Sequence, residues 1–173
     1  MDKANSAYAA GVLPWACLDG RVLFLVGRDA QDGTWSDFGG KYETRDRSEL
    51  ETAQREFYEE TCGAVMDMRA IKLRMSFQQT FKMLLSSTQS KHPYYMYLLE
   101  VPFDASLRAA FRRTVSFLRF SKVARSMIEK TDVQWVTLDQ LRRLELRGIF
   151  GQTIRRHETV LEELSATARM PPD

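Results

Sequence analysis

The chain has 173 residues, a mass of 20.0 kDa, 44% hydrophobic and 28% charged residues, and a formal net charge of +2. This supports one domain with a packed core and excludes wholesale disorder. Apolar runs such as Val22-Leu23-Phe24-Leu25-Val26 are far shorter than the roughly 20 residues of a membrane-spanning helix, and no secretory pattern opens the chain. Cys17 and Cys62 are too few for a disulfide framework or a zinc finger, so a reducing, cytoplasmic compartment is expected. The charge is uneven: residues 1–66 carry 7 Lys/Arg against 12 Asp/Glu, and residues 67–173 carry 18 against 11. An acidic half beside a basic half suggests a divalent cation on one side and a polyanion on the other, although a plain scatter of surface charge gives the same totals.

In chain order, residues 10–16 predict a first strand, with Pro14 at an edge or bulge. Asp19-Gly20 is a hairpin signal, and residues 21–27 read as a buried strand. Gln31-Asp32-Gly33 is a turn, followed by a short aromatic stretch over 34–38 that leads into Gly39-Gly40. Ser48 begins the clearest helix. With Glu51 it fits a capping box, Leu50, Ala53 and Phe57 recur at helical spacing, and Gly63 is placed to end the helix in a left-handed turn. Strands are predicted at about 67–83 and 94–102, a helix-friendly stretch at 105–129, a short strand at 133–136, and helices at about 138–144 and 149–165. Residues 166–173, with Pro171-Pro172, read as a loose tail. Alternating strands and helices with mixed connections argue for an α/β sandwich.

The helix carries Arg55-Glu56-Phe57-Tyr58-Glu59-Glu60. Three glutamates at i, i+3 and i+4 share one sector of the helix and repel one another unless a cation sits among them. Clustered oxygen ligands of this kind suit Mg²⁺ or Mn²⁺. A solvated acidic face paired with Arg or Lys is the bland alternative. The Gly39-Gly40-Lys41 loop ahead of the helix favours a ligand site: glycine allows close approach, and lysine can meet phosphate oxygen.

Gly39-Gly40-Lys41-Tyr42-Glu43, Asp46, Arg55-Glu56-Phe57-Tyr58-Glu59-Glu60 and Gly63 together resemble the Nudix box, G-x5-E-x7-R-E-U-x-E-E-x-G-U, where U is a bulky apolar residue. Glu129 to Trp135 and Leu138-Asp139-Gln140-Leu141 are similar to the family's later strand and D-x-L segment, so the resemblance covers roughly residues 8–145. The chain departs from the pattern in three places. Asp46 replaces the first glutamate, eight residues rather than seven separate it from Arg55, and Thr61-Cys62-Gly63 is one residue longer than the family's helix exit.

The resemblance implies a Nudix-type α/β/α sandwich with a mixed β-sheet, built as a single domain over residues 1–165 with a basic helical insertion at about 105–130. It implies a Mg²⁺- or Mn²⁺-dependent hydrolase that cleaves a diphosphate linkage. On the family pattern Glu56, Glu59, Glu60 and the Gly39 carbonyl hold the metal, and Arg55 braces them. Glu56 or Glu129 is the general base, with Asp132 the fallback for Glu129. Gly40, Lys41 and Arg28 meet the substrate. Two substrate groups are open: small nucleotides such as ADP-ribose, nucleoside diphosphate sugars or dinucleoside polyphosphates, and capped RNA or inositol pyrophosphates. A non-catalytic Nudix module that senses a ligand is the third reading, and a homodimer is one assembly the family implies.

The basic stretch Arg108, Arg112, Arg113, Arg119, Lys122, Arg125 and Lys130, interleaved with Phe111, Phe117, Leu118 and Phe120, reads either as an arm for RNA or as a solvated amphipathic helix. His92 and His157 read as surface or loop residues, and Cys62 as a buried, inert thiol. Trp15, Trp35, Tyr94 and Tyr95 read as nucleobase-stacking residues or, more plainly, as packing.

Overall fold

The structure, a computed structural model, describes residues 7–77, 81–121 and 127–167. Seven strands form one mixed sheet. β1 (Ala9–Leu18) and β2 (Arg21–Asp29) make the predicted hairpin, and Asp19 and Gly20 both take positive φ between them, at 49° and 71°. Two positive-φ residues match the turn's twist to that of the strands, which is why Asp-Gly was a readable signal. β3 (Trp35–Ser36) pairs with the end of β2, and β4 (Phe38–Lys41) pairs with the first half of β1. β5 (Phe81–Ser87) and β6 (Pro93–Glu100) form a second hairpin, with β6 parallel to β1. β7 (Lys130–Val136) closes against β2.

Pro14 does not lie at a sheet edge. β1 pairs with β4 through Val12 and with β2 from Trp15, so Pro14 falls where β1 changes partner and its missing N–H interrupts neither ladder.

Side chains alternate cleanly across the sheet. Ala10, Val12, Leu25, Tyr97 and Leu99 face one core, and Leu13, Phe24, Val26, Met96 and Leu98 face the other. The first core is covered by α1 (Glu49–Glu60), α2 (Met68–Arg74) and α3 (Leu107–Phe120). The second is covered by α4 (Leu138–Arg143), α5 (Gly148–Arg156) and α6 (Glu158–Thr167). The α/β/α sandwich is therefore present. In α1 the expected apolar residues Ala53 and Phe57 are fully buried, Leu50 packs partly against them, and Phe57 lies 5.8 Å from Phe38 between ring centroids. Burial of a Phe side chain contributes about 1.5–3 kcal/mol and fixes α1 over β4.

Three expectations change. The segment read as strand at 67–83 begins as helix α2, because Asp67 caps it by accepting the Ala70 N–H at 2.8 Å, and the strand starts only at Phe81. The helix read at 149–165 is two helices broken at His157, whose Nε2 lies 2.9 Å from the Leu85 carbonyl oxygen. The Ser48 cap is present, its Oγ accepting the Glu51 N–H at 3.2 Å, but the Glu51 carboxylate reaches Arg47 N at 2.8 Å and not Ser48 N, so the box is only half closed. Of the predicted tail, residues 166 and 167 continue α6 and residues 168–173 lie outside the described residues.

Candidate active site

The loop before α1 and the face of α1 meet through Arg55. Its guanidinium holds Asp46 as a fork, Nε to Oδ1 at 3.1 Å and Nη2 to Oδ2 at 2.9 Å. Nη2 also donates to the Lys41 carbonyl at 3.1 Å. Nη1 meets Glu56 Oε1 at 2.8 Å, Glu59 Oε2 at 3.2 Å and Glu43 Oε1 at 3.4 Å. One buried cation thus ties four carboxylates from loop and helix. The fork explains the divergent spacing of the box. Asp46 is one methylene shorter than glutamate and lies one position further from Arg55, yet it still reaches it, and it also accepts the Glu43 N–H and the Thr52 hydroxyl at 2.9 and 2.8 Å.

Burial alone raises the Asp46 carboxyl, but its bonds from Arg55, the Glu43 N–H and Thr52 outweigh that and hold it at about 2. A depressed carboxyl stabilises the fold above its unfolded value, about 3.9. That contribution, about 2 kcal/mol, disappears as the pH falls through about 2. Urea midpoints measured from pH 5 to pH 2.5 should therefore decline, and the Asp46→Asn protein should be less stable at pH 5 and flatter below pH 4. Parallel curves for the two proteins would show that Asp46 is not tied to Arg55 in solution.

Glu56 is closely confined between Arg55 and β4. Its side chain is 9% exposed, and it lies so close to Gly40 that a Cβ there would sit 2.5 Å from Oε1. A side chain at position 40 would therefore displace the Glu56 carboxylate. Burial, helped by the charges of Glu129 and Glu59, raises the Glu56 carboxyl to about 7 against the opposing pull of Arg55. Glu129 is exposed on the loop entering β7, where its carbonyl accepts the Ala30 N–H at 2.8 Å. Its charge also acts on Glu60. Asp132 is committed elsewhere: Arg108 holds it through Nε to Oδ1 at 3.1 Å and Nη2 to Oδ2 at 2.7 Å.

Glu59 is the open member, 46% exposed, shared between Arg55 and Arg45. Glu60 points the other way. Its side chain is 2% exposed, its Oε2 accepts the Gly39 N–H at 2.8 Å, and its Oε1 lies 3.5 Å from Lys130 Nζ. Burial pushes its carboxyl well up, countered by Lys130. Lys41 is exposed, and the Arg28 guanidinium folds back to donate to the Gly33 carbonyl at 3.2 Å. Two surface grooves, one lined by Arg21, Leu138 and Arg142 and the other by Trp15, Phe81 and Leu98, include none of these residues.

Among the described residues, no three His, Cys, Asp or Glu side chains stand as a ready metal cluster. The donors fit a hard cation in part. Glu56 and Glu59 converge on one Arg55 nitrogen and offer oxygens on one side, whereas Glu60 is taken up by an N–H and an ammonium.

No family model and no curated protein matches the sequence. Solved structures do. An Ap4A hydrolase of C. elegans aligns over 91% of this chain and 98% of its own, with a TM-score of 0.52 and 17% identity. The Nudix domain of Shewanella oneidensis NrtR, in complex with ADP-ribose, aligns over 91% and 87%, with 0.55 and 15%. A Nudix hydrolase of Listeria monocytogenes aligns over 91% and 96%, with 0.52 and 14%. The fold is the Nudix fold.

Within this Nudix fold, sequence reasoning missed the layer behind the glutamates. Asp37 is buried and accepts the Tyr94 hydroxyl, and burial raises its carboxyl to about 6 despite that bond and the nearby charges of Lys130 and Arg147. Gly11 leaves the space, since a Cβ there would lie 2.7 Å from both Asp37 Oδ2 and Tyr94 Oη. The available signal was an acid between Ser36 and Phe38 in an otherwise aromatic stretch. Tyr94 is thus a buried partner and not a stacking surface, Trp15 and Trp35 pack against the second core, and Tyr95 meets Tyr8 edge-on. Cys62 is exposed, contrary to expectation. It follows the helix with φ 53°, ahead of Gly63 at 66°, so the extra residue is absorbed by two successive left-handed residues and the Gly63 N–H still closes on the Tyr58 carbonyl at 2.9 Å.

Proposed function

We propose that the chain is a divalent-metal-dependent hydrolase that cleaves a diphosphate linkage in a nucleotide-type substrate, with Mg²⁺ or Mn²⁺ as the ion. The observation that carries this reading is the convergence of Glu56 and Glu59 on one Arg55 nitrogen beside Glu129. A bound divalent ion would polarise phosphoryl oxygens and acidify a water. The chain's own residues supply the rest. Glu56, with its carboxyl at about 7, is poised to take a proton from water near neutral pH, and Glu129 is the second candidate base. Arg55 fixes the direction of Glu56 and Glu59. The Gly39 carbonyl is a further ligand in this reading, and Gly40, Lys41 and Arg28 serve the substrate's phosphates.

Likeness to an Ap4A hydrolase and to an NrtR domain in complex with ADP-ribose favours a small nucleotide containing a diphosphate. The basic segment gives less support to RNA than its composition suggested. Arg108 is spent on Asp132 and Lys130 is buried, leaving Arg112, Arg113 and Arg119 exposed on α3, while Lys122 and Arg125 lie outside the described residues.

The test is a hydrolysis screen with Mg²⁺ and Mn²⁺ on wild type and Glu59→Gln, covering ADP-ribose, NADH, dinucleoside polyphosphates, nucleoside triphosphates, inositol pyrophosphates and capped RNA. Turnover of a small nucleotide that drops at least tenfold in the variant is the expected result. Tight binding of one of these compounds with no turnover would favour the ligand-sensing module instead.

A further inference from the structure

Lys130 is the one basic residue of the 105–130 segment that the described structure turns inward. Its side chain is 1% exposed. Nζ lies 2.7 Å from Ser36 Oγ, 3.5 Å from Glu60 Oε1 and 4.0 Å from Asp29 Oδ2. Two independent features of the backbone make room for it. Val133 and Trp135 face the core under α1, and strict alternation would send Lys130 to the opposite side; a register shift against Arg28 and Asp29 resets β7. Gly27 then leaves a channel for the stem, since a Cβ there would lie 3.0 Å from Lys130 Cδ and 3.2 Å from Cγ. Ser36 completes the seat by donating its own hydroxyl to the Asp37 carbonyl at 2.8 Å, which leaves its oxygen to accept from the ammonium. A buried ammonium persists only with such partners.

We infer that Lys130 is a built-in counter-cation for Glu60, occupying the place where a divalent ion would otherwise be drawn to that carboxylate, so that divalent binding rests on Glu56 and Glu59 and not on Glu60. Lys130 is then a positioning residue. It pins Glu60 against β4 and the Gly39 N–H and leaves the cation-binding face of α1 to two of its three glutamates. This rests on the metal-dependent reading above, and it departs from the expectation that all three glutamates are ligands. A second positive charge beside the ammonium would be repelled at short range, which disfavours a divalent ion on Glu60 while Lys130 is in place.

Mn²⁺ titration by calorimetry, with the free ion followed by electron paramagnetic resonance, separates the possibilities on wild type, Glu60→Gln, Glu56→Gln, Lys130→Met and Lys130→Arg. Wild type and Glu60→Gln should bind Mn²⁺ with the same stoichiometry and with Kd values within about threefold, whereas Glu56→Gln weakens binding at least tenfold. Lys130→Met should bind Mn²⁺ at least tenfold more tightly or take an additional ion, and Lys130→Arg should behave like wild type. Should Lys130→Met fail to fold, the comparison of Glu60→Gln with wild type still decides. A tenfold loss in Glu60→Gln overturns the inference and leaves the metal-dependent reading intact. Binding absent from wild type but gained in Lys130→Met overturns the assignment of a wild-type site to Glu56 and Glu59. Absence of binding from both overturns the inference along with the metal reading.

Discussion

Glu56→Gln is expected to lower kcat on the diphosphate substrate by about 10²–10⁴-fold, the range for loss of a general base, while leaving the protein folded. The amide keeps an oxygen for Arg55 and fits the space over Gly40 that the carboxylate occupies. Because burial disfavours the charged form of Glu56, the neutral replacement should not lower thermal stability at pH 8 in a chelating buffer. Loss of activity with an unchanged melting temperature is the signature of a residue used in chemistry. A kcat within threefold of wild type would remove Glu56 from the reaction and leave Glu129 as the base, and the matching Glu129→Gln measurement would then show the large loss.

Arg55→Met should have the largest effect on stability. It strips the shared partner from Asp46, Glu56, Glu59 and Glu43, and the first two of these carboxylates are buried. Removing one partner from a buried ionic network costs about 3–5 kcal/mol, which for a domain of this size lowers the melting temperature by about 10 °C. The loss should be greatest in a chelating buffer and partly restored by Mn²⁺, since a cation bound only to the folded state stabilises it by mass action. Arg55→Lys should recover less than half, because an ammonium cannot fork onto Asp46 and reach Glu56 at once. Urea unfolding with and without chelator measures this, and a loss below about 1 kcal/mol for Arg55→Met would show that the network contributes little.

What could be read in the sequence was mostly what depends on near neighbours. The Asp19-Gly20 turn, the Ser48 cap, the apolar stripe of α1 and the strand character of β1, β2 and β6 are local patterns, and each appears in the fold. The Asp67 cap is equally local, but the apolar residues after it also suit a strand. The site was legible as a list of residues but not as a set of directions. Glu56, Glu59 and Glu60 share a helix face, yet the strand behind the helix decides that Glu60 turns to Gly39 and Lys130. Lys130 itself looked like one more surface cation. Only a register shift in β7 and the missing side chain at Gly27 bring it inside, and both are long-range facts that composition cannot carry. Asp132 shows the same limit, since its pairing with Arg108 joins residues 24 apart in sequence.

The most direct test of the central claim is a turnover in ¹⁸O-labelled water with Mg²⁺ and the best small nucleotide from the screen, followed by mass analysis of both phosphorylated products. Each turnover of wild type should place one solvent oxygen on one of the two product phosphates, and Glu56→Gln should do so at a rate lower by about 10²–10⁴-fold. A nucleotide that binds tightly yet is recovered intact and unlabelled in wild type would contradict it and would make this Nudix fold a binding module.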